Sequence, residues 1–276
     1  MPVVPTTGAR ADGHAVKIAA GLPGGSYYEI YAANLKRLLP DHAVSIESTA
    51  GSRENLELLV EGKADLGFAQ TDVYADLLLG NPDRYAGLKS LGTLAEECVY
   101  LAVRKDGRIT ELVQLGEADD GRAARIALGP PTSGMPGTWE YMTHLMTSLA
   151  AAEVVDDGGI AAVDRLAAGG VDAVGWVTDP DNRHHVMLQA VLNDDALRFL
   201  DLQDSRLTGT LPSGIKVYGR KKVKLEGGLF GARAATLCTS GRLLARPGAS
   251  PELVEAISLI LKDQLDTLTE SAAEPR

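Results

Sequence analysis

Three polar residues, Gln70, Thr71 and Asp72, follow the short apolar run Leu66–Ala69 and close the segment TAGSRENLELLVEGKADLGFAQTD. Polar groups just past the carboxyl end of a buried strand lie where open α/β sheets take small ligands. The same segment opens on Gly51 and Ser52, at the expected start of a helix, with Asn55 three residues on. A helix start carries free N–H groups and a partial positive charge, so it holds a carboxylate or phosphate. The chemistry on offer is binding rather than bond-making. A purely structural alternative stays open: Ser52 as a plain N-cap, and Asp72 as the cap of the next helix.

Three further loops have the same character. In GLPGGSYY, glycines let the backbone approach a ligand, Ser26 stands where a helix begins, and Tyr27 can stack or hydrogen-bond. In GPPTSGM, Ser133, Gly134 and Met135 stand at a helix start. Trp176 ends an apolar run before Val177, Thr178 and Asp179, and reads either as core or as a ligand-facing platform. No Gly-Lys-Ser/Thr follows the first glycines and they do not form GxGxxG, so no nucleotide cofactor is expected. Neither GxSxG nor HExxH occurs, and no cofactor, metal or enzymatic activity is expected. The adjacent His184 and His185 read as a solvated helix surface, poorly placed to share a metal.

These loops need strands and helices to hold them. Val16–Ala20 reads as a strand, Ser26 to Leu39 as a helix ended by Pro40, and Ala43–Glu47 as a strand. Glu54–Glu61 and Val73–Leu79 follow as helices on either side of the strand Leu66–Ala69. Val99–Val103 is a strand, then comes a charged stretch from Arg104 to Arg125. Strand Ile126–Leu128, helices near 137–150 and 160–168, and strand Val171–Val177 form a second series. A last helix spans Glu252–Leu268. The alternation implies an α/β class with mostly parallel strands. Its two occurrences, each with a Gly/Ser turn early and a late strand led in by small residues and an aspartate (Asp65, Asp172), imply two similar lobes.

The chain has 276 residues, 45 % of them hydrophobic, and a formal net charge of -10. That is enough for two lobes with proper cores. The acidic balance argues against a nucleic-acid partner. No apolar run approaches the roughly 18 residues that would span a bilayer. The first 13 residues are polar and lack an apolar signal core, which leaves a mature, trimmed or cytoplasmic chain open. The two cysteines, Cys98 and Cys238, have no metal spacing. They read as buried thiols or as one long-range disulfide, the latter implying an oxidising compartment.

In order, IAAGLPGGSYYEIYAANLKRLLP, STAGSRENLELLVEGKADLGFAQTD, VRKDGRI with IALGPPTSG, GGVDAVGWV and LLARPGASPELVEAISLIL give the chain a family likeness. It resembles the TAXI-type solute receptors of tripartite ATP-independent periplasmic (TRAP) transporters, from about Val16 to Leu268. The resemblance implies a type II periplasmic-binding-protein fold, two α/β lobes joined by a two-segment hinge. Lobe one would be 14–100 plus 240–268 and lobe two 101–239, with flexible tails at 1–13 and 269–276. It implies an extracytoplasmic receptor that captures a small organic anion, an amino acid, keto acid or dicarboxylate such as glutamate or 2-oxoglutarate. The membrane subunits of a TRAP-type transporter would be its partners. A ligand-sensing domain of a signalling protein is the alternative on the same fold.

Carried over by position, the implied ligand contacts are Ser26, Tyr27, Gly51, Ser52, Asn55, Gln70, Thr71, Asp72, Ser133, Gly134, Met135 and Trp176. Three departures from the family pattern stand out. Met135 replaces a hydroxyl donor, which opens the pocket to a larger or less polar carboxylate. Glu29 and Tyr31 replace a Pro and a Gly, and the stretch after Leu211 lacks a tyrosine-rich pattern. Arg53 is the arginine nearest the site motif and is expected to face water. The hinge model gives each crossing one cysteine, in reach of a disulfide if their Cα atoms lie about 4.4–6.8 Å apart.

Overall fold

The computed structural model describes residues 15–117, 119, 121–225 and 232–270. The apolar run AVKIAAG forms β1 (Ala15–Gly21), with its last four residues buried. A wide π-type turn, Tyr27–Ala32, continues into α1 (Ala33–Leu38). Then come β2 (Ala43–Ser48), α2 (Ser52–Val60), the wholly buried β3 (Leu66–Gln70), α3 (Thr71–Gly80) and the short α4 (Pro82–Tyr85). The long β4 (Lys89–Arg104) leads to β5 (Arg125–Ala127), α5 (Gly134–Leu145), β6 (Glu153–Val155), α6 (Gly159–Ala167) and β7 (Ala173–Thr178). The chain ends through α7 (Val186–Leu192), β8 (Leu197–Phe199), β9 (Gly219–Lys224), β10 (Arg233–Ala245), α8 (Pro251–Asp263) and α9 (Leu265–Thr269).

One sheet runs through the molecule in the order β2-β1-β3-β10-β4-β7-β5-β6, with β8 on β4 and β9 on β10. Its two halves repeat a single plan. β1 pairs in parallel with β2 and β3, and β5 pairs in parallel with β6 and β7. Each parallel trio is then met by an antiparallel long strand, β10 against β3 and β4 against β7. The two long strands pair with each other, from Cys238 opposite Cys98 to Ala245 opposite Lys89. Partners change at the cysteine pair: Cys98 to Val103 of β4 also pair with β7, while Gly241 to Ala245 of β10 also pair with β3. This doubled plan with two crossing strands is the type II periplasmic-binding-protein fold.

Helices cover the sheet with their apolar faces. Leu35, Leu56 and Leu59 are fully buried, and each such burial stabilises by roughly 1.5–3 kcal/mol. Ile257 and Ile260 of α8 pack with Ile18, Phe68 and Leu243 in the first half. Trp176, Tyr100, Met187 and Leu188 share a core in the second.

The structure corrects several expectations. The strand seen as Val99–Val103 begins ten residues earlier, at Lys89, because its first half, KSLGTLAEE, is mostly polar and only partly covered. The helix expected near 137–150 starts at Gly134 and passes into a 3-10 turn, Thr147–Ala151. The terminal helix breaks at Gln264 into α8 and α9. His184 and His185 precede α7 in a turn rather than lying on a helix. Of the expected tails, Thr269 ends α9 and the Glu270 carbonyl accepts from the Asn34 amide, whereas 1–13 and 271–276 lie outside the described residues.

Candidate functional site

Four loops converge between the halves of the sheet. After β1, Gly21 and Gly24 take φ of 142° and 88°, conformations that favour glycine, and the Gly24 N–H donates to Glu29. Ser26 is already helical and makes no capping bond, so its hydroxyl is left for the cavity. Before α2, Gly51 has φ 136°, and a Cβ there would sit 3.6 Å from the Gly134 nitrogen on the other half. Gly134 faces Gln70 even more closely, since an added Cβ would lie 1.8 Å from the Gln70 side-chain oxygen. Gly51 is required by its backbone conformation, and Gly134 by the close approach of the Gln70 side chain.

A cavity of about 360 Å³ lies between these loops, large enough for a small solute. Among its lining residues are Ser26, Tyr27, Gly51, Ser52, Gln70 and Gly134. A second cavity of about 630 Å³ shares Leu22, Gln70, Glu97, Gly134, Val177 and His185 with the first. Ser133, Met135 and Trp176 line this second arm, together with Leu128 and Met187. Nine of the twelve residues expected at the site thus meet around one connected cleft.

Asn55, Thr71 and Asp72 do not line it. The Asn55 amide donates to the carbonyls of Ala20 and Phe68, and its oxygen accepts from Thr49, which ties β1 to β3. The Thr71 hydroxyl donates to the Ser240 carbonyl on β10. Asp72 is fully buried and accepts from Tyr218 at 2.9 Å and from the Val73 N–H. Ser52 accepts from the Gln70 N–H at 3.1 Å, and the Gln70 amide donates to Thr138 of α5 at 3.2 Å. Gln70 therefore lines the cleft and also bridges the halves.

Trp176 is no open platform. Tyr100 and His185 stack against it at 5.7 and 6.2 Å between centroids, and only 5 % of it is exposed. Its indole N–H is buried without a hydrogen-bond partner. His185, expected on a solvated surface, is half-buried on this ring, and burial holds its imidazole pKa below the ordinary value. Arg53, expected to face water, pairs with Asp76 at 3.3 Å and with Glu140 across the halves.

The residue that the sequence reading missed is Glu97 on β4. It lines both arms of the cleft. Desolvation pushes its carboxyl up to about 7, with the nearby charges of Asp72 and Asp179 adding to the effect. The Tyr27 hydroxyl lies beside it and lowers it somewhat, although the geometry falls short of a well-formed bond. Burial likewise lifts Asp72 to about 6 against its hydrogen bonds from Tyr218 and Val73. Cys98 and Cys238 form a disulfide; as direct partners on the β4–β10 ladder their Cα atoms are 3.9 Å apart, below the expected range. Glu96 lies near both sulfurs, but the disulfide leaves that trio one carboxylate to offer a metal.

A protein-family model matches residues 18–217, and its description is the NMT1-like family. The chain belongs to that family. Among solved structures, it is similar to XAC2383 from Xanthomonas citri bound to ATP, with a TM-score of 0.57 and 14 % identity over 93 % of this chain and 87 % of that one. YhfZ from Shigella flexneri gives 0.55 and 19 % over 96 % and 94 %. A putative L-cystine ABC transporter from Listeria monocytogenes gives 0.53 and 12 % over 93 % and 94 %. At such identities the likeness is one of fold. No curated protein matches the sequence significantly.

In this NMT1-like chain the cleft combines two well-formed helix starts, at α2 and α5, with hydroxyls, an amide and a partly covered carboxylate. None of these groups forms a nucleophile–base pair. Glu97 was hidden from sequence reading because it sits in the polar run AEEC, with no turn or glycine to mark it. The one available signal was its place just before the apolar strand at Cys98.

Proposed function

We propose that this chain is an extracytoplasmic solute receptor that captures a small organic solute between its lobes and presents it to a membrane transporter. The observation that carries this reading is the cleft walled by both halves of the sheet, in which Gly51 meets Gly134 and Gln70 spans to Thr138. Opening and closing about the crossing strands would expose and enclose the solute, and the solute favours the closed state by its differential affinity.

The finer reading is a TAXI-type receptor serving a TRAP-type transporter, on the strength of the motif order. The change of strand partners at Cys98 and Cys238 supports lobes of 14–100 plus 240–268 and of 101–239. The disulfide suits an oxidising, periplasmic or extracytoplasmic setting. Among the described residues no helix is long and apolar enough to cross a membrane. The solute carries a carboxylate, held by the helix starts at Gly51–Ser52 and Ser133–Gly134 and by the Ser26 hydroxyl. Tyr27, Gln70, Met135 and Trp176 shape the rest of the pocket.

A thermal-shift screen of amino acids, keto acids and dicarboxylates tests the reading. A solute at a hundred times its Kd stabilises by about 2.7 kcal/mol, which moves the melting temperature by several degrees. A screen in which none of these solutes raises the melting temperature overturns it.

A further inference from the structure

The charges around the cleft are one-sided. Glu96, Glu97, Asp156 and Asp179 are among its lining residues, and no Lys or Arg among the described residues is. Glu96 is answered by Lys221, outside the cavity. Glu97 has no ion pair among the described residues. Cys98 pairs with Thr178 on the β4–β7 ladder, so Glu97 and Asp179 stand next to each other, one residue beyond that pair. Asp179 accepts from the Asp181 N–H at 2.7 Å, so Glu97 is the carboxylate left poorly satisfied on this wall of the cavity.

A second observation points to a missing ligand. Trp176 is 5 % exposed and lines the same cleft, yet its indole N–H has no hydrogen-bond partner. The buried Tyr27 hydroxyl, next to Glu97, is also without one. The lining therefore offers carboxylate acceptors on one wall and unpartnered donors nearby. A solute that is only an anion satisfies the donors and leaves Glu97 and Asp179 against a like charge. A solute that also carries a protonated amine satisfies both.

We propose that Glu97, with Asp179 beside it, forms a subsite for a protonated amine, so that the captured solute is an amino-acid-like zwitterion rather than a keto acid or dicarboxylate. This rests on the receptor reading above and narrows its ligand. The ammonium sits against Glu97, while the carboxylate takes the helix starts. The arm bounded by Leu22, Leu128, Met135 and Met187 accepts an apolar side chain, and Met135 in place of a hydroxyl fits that preference.

The test compares matched pairs by calorimetry at pH 8: leucine with 4-methyl-2-oxopentanoate, phenylalanine with phenylpyruvate, glutamate with 2-oxoglutarate. The amino member of a pair should bind at least tenfold tighter. Glu97→Gln should remove most of that preference. Keto acids that bind as tightly as their amino partners overturn the amine subsite and leave the receptor reading standing. So does a folded Glu97→Gln protein with an unchanged preference. The wild-type comparison decides the matter even if the variant does not fold. A panel in which no member binds overturns both.

Discussion

Glu97 links the charge of the cleft to the stability of the fold. Its carboxyl is raised to about 7 by burial, so the folded protein binds its proton more tightly than the unfolded chain does. Below the ordinary carboxylate range both states are protonated and there is no penalty. As pH rises towards 7 the unfolded chain ionises first, and stability falls. Wild-type protein should therefore lose on the order of 2 kcal/mol, relative to Glu97→Gln, between pH 4.5 and 7.5. Melting curves of both proteins across that range check it; parallel pH profiles refute it. The groups facing Glu97 are Tyr27 and Tyr31 from the turn before α1, Asp72 from α3 and Asp179 after β7, and none is a cation. An amine ligand should accordingly bind more tightly as pH rises through 7. Gln70 and Ser52 carry a different lesson at this scale: each belongs to the cleft and to the interior bonds that shape it.

At the scale of elements, the contact between α3 and α5 decides how the halves sit together. A Cβ on Gly137 would come within 3.0 Å of Val73, so the helices touch almost backbone to side chain. Arg53 reaches Glu140, and His144 lies 2.9 Å from Asp76. Beneath them the Tyr218 hydroxyl, carried just ahead of β9, donates to buried Asp72 on α3. Tyr218→Phe removes that donor and leaves the carboxyl desolvated. The loss should be about 1–3 kcal/mol where Asp72 is ionised. Asp72 is raised to about 6, so the cost of the variant should be larger at pH 8 than at pH 5. Denaturant unfolding at the two pH values measures it, and equal losses would show that the Tyr218 bond is not what keeps Asp72 charged.

At the scale of the whole molecule, the Cys98–Cys238 disulfide joins the crossing strands where they change partners, across a sequence separation of 140. By chain entropy such a loop restrains the unfolded state by about 5 kcal/mol, and measured effects are usually about 2–4 kcal/mol. Reduction, or Cys98→Ser with Cys238→Ser, should lower the unfolding midpoint by that order while circular dichroism keeps the α/β signature. Denatured, unreduced protein should show no free thiols. A count of two would contradict the bond.

The sequence by itself determined the alternation of strands and helices, the doubled plan, and the loops that approach the cleft. Those features are written in short-range periodicity and in glycines such as Gly51, whose backbone conformation few other residues tolerate. It could not determine which polar groups face the cavity. Asn55, Thr71 and Asp72 have the composition of a site, yet their partners are Phe68, Ser240 and Tyr218, up to 169 residues away. Glu97 has the composition of a solvated strand edge, and only the tertiary structure brings it to the wall of the cleft. Local pattern fixes what each segment becomes. Which side chains are satisfied inside and which are left for a solute depends on neighbours that only the closed tertiary structure brings together.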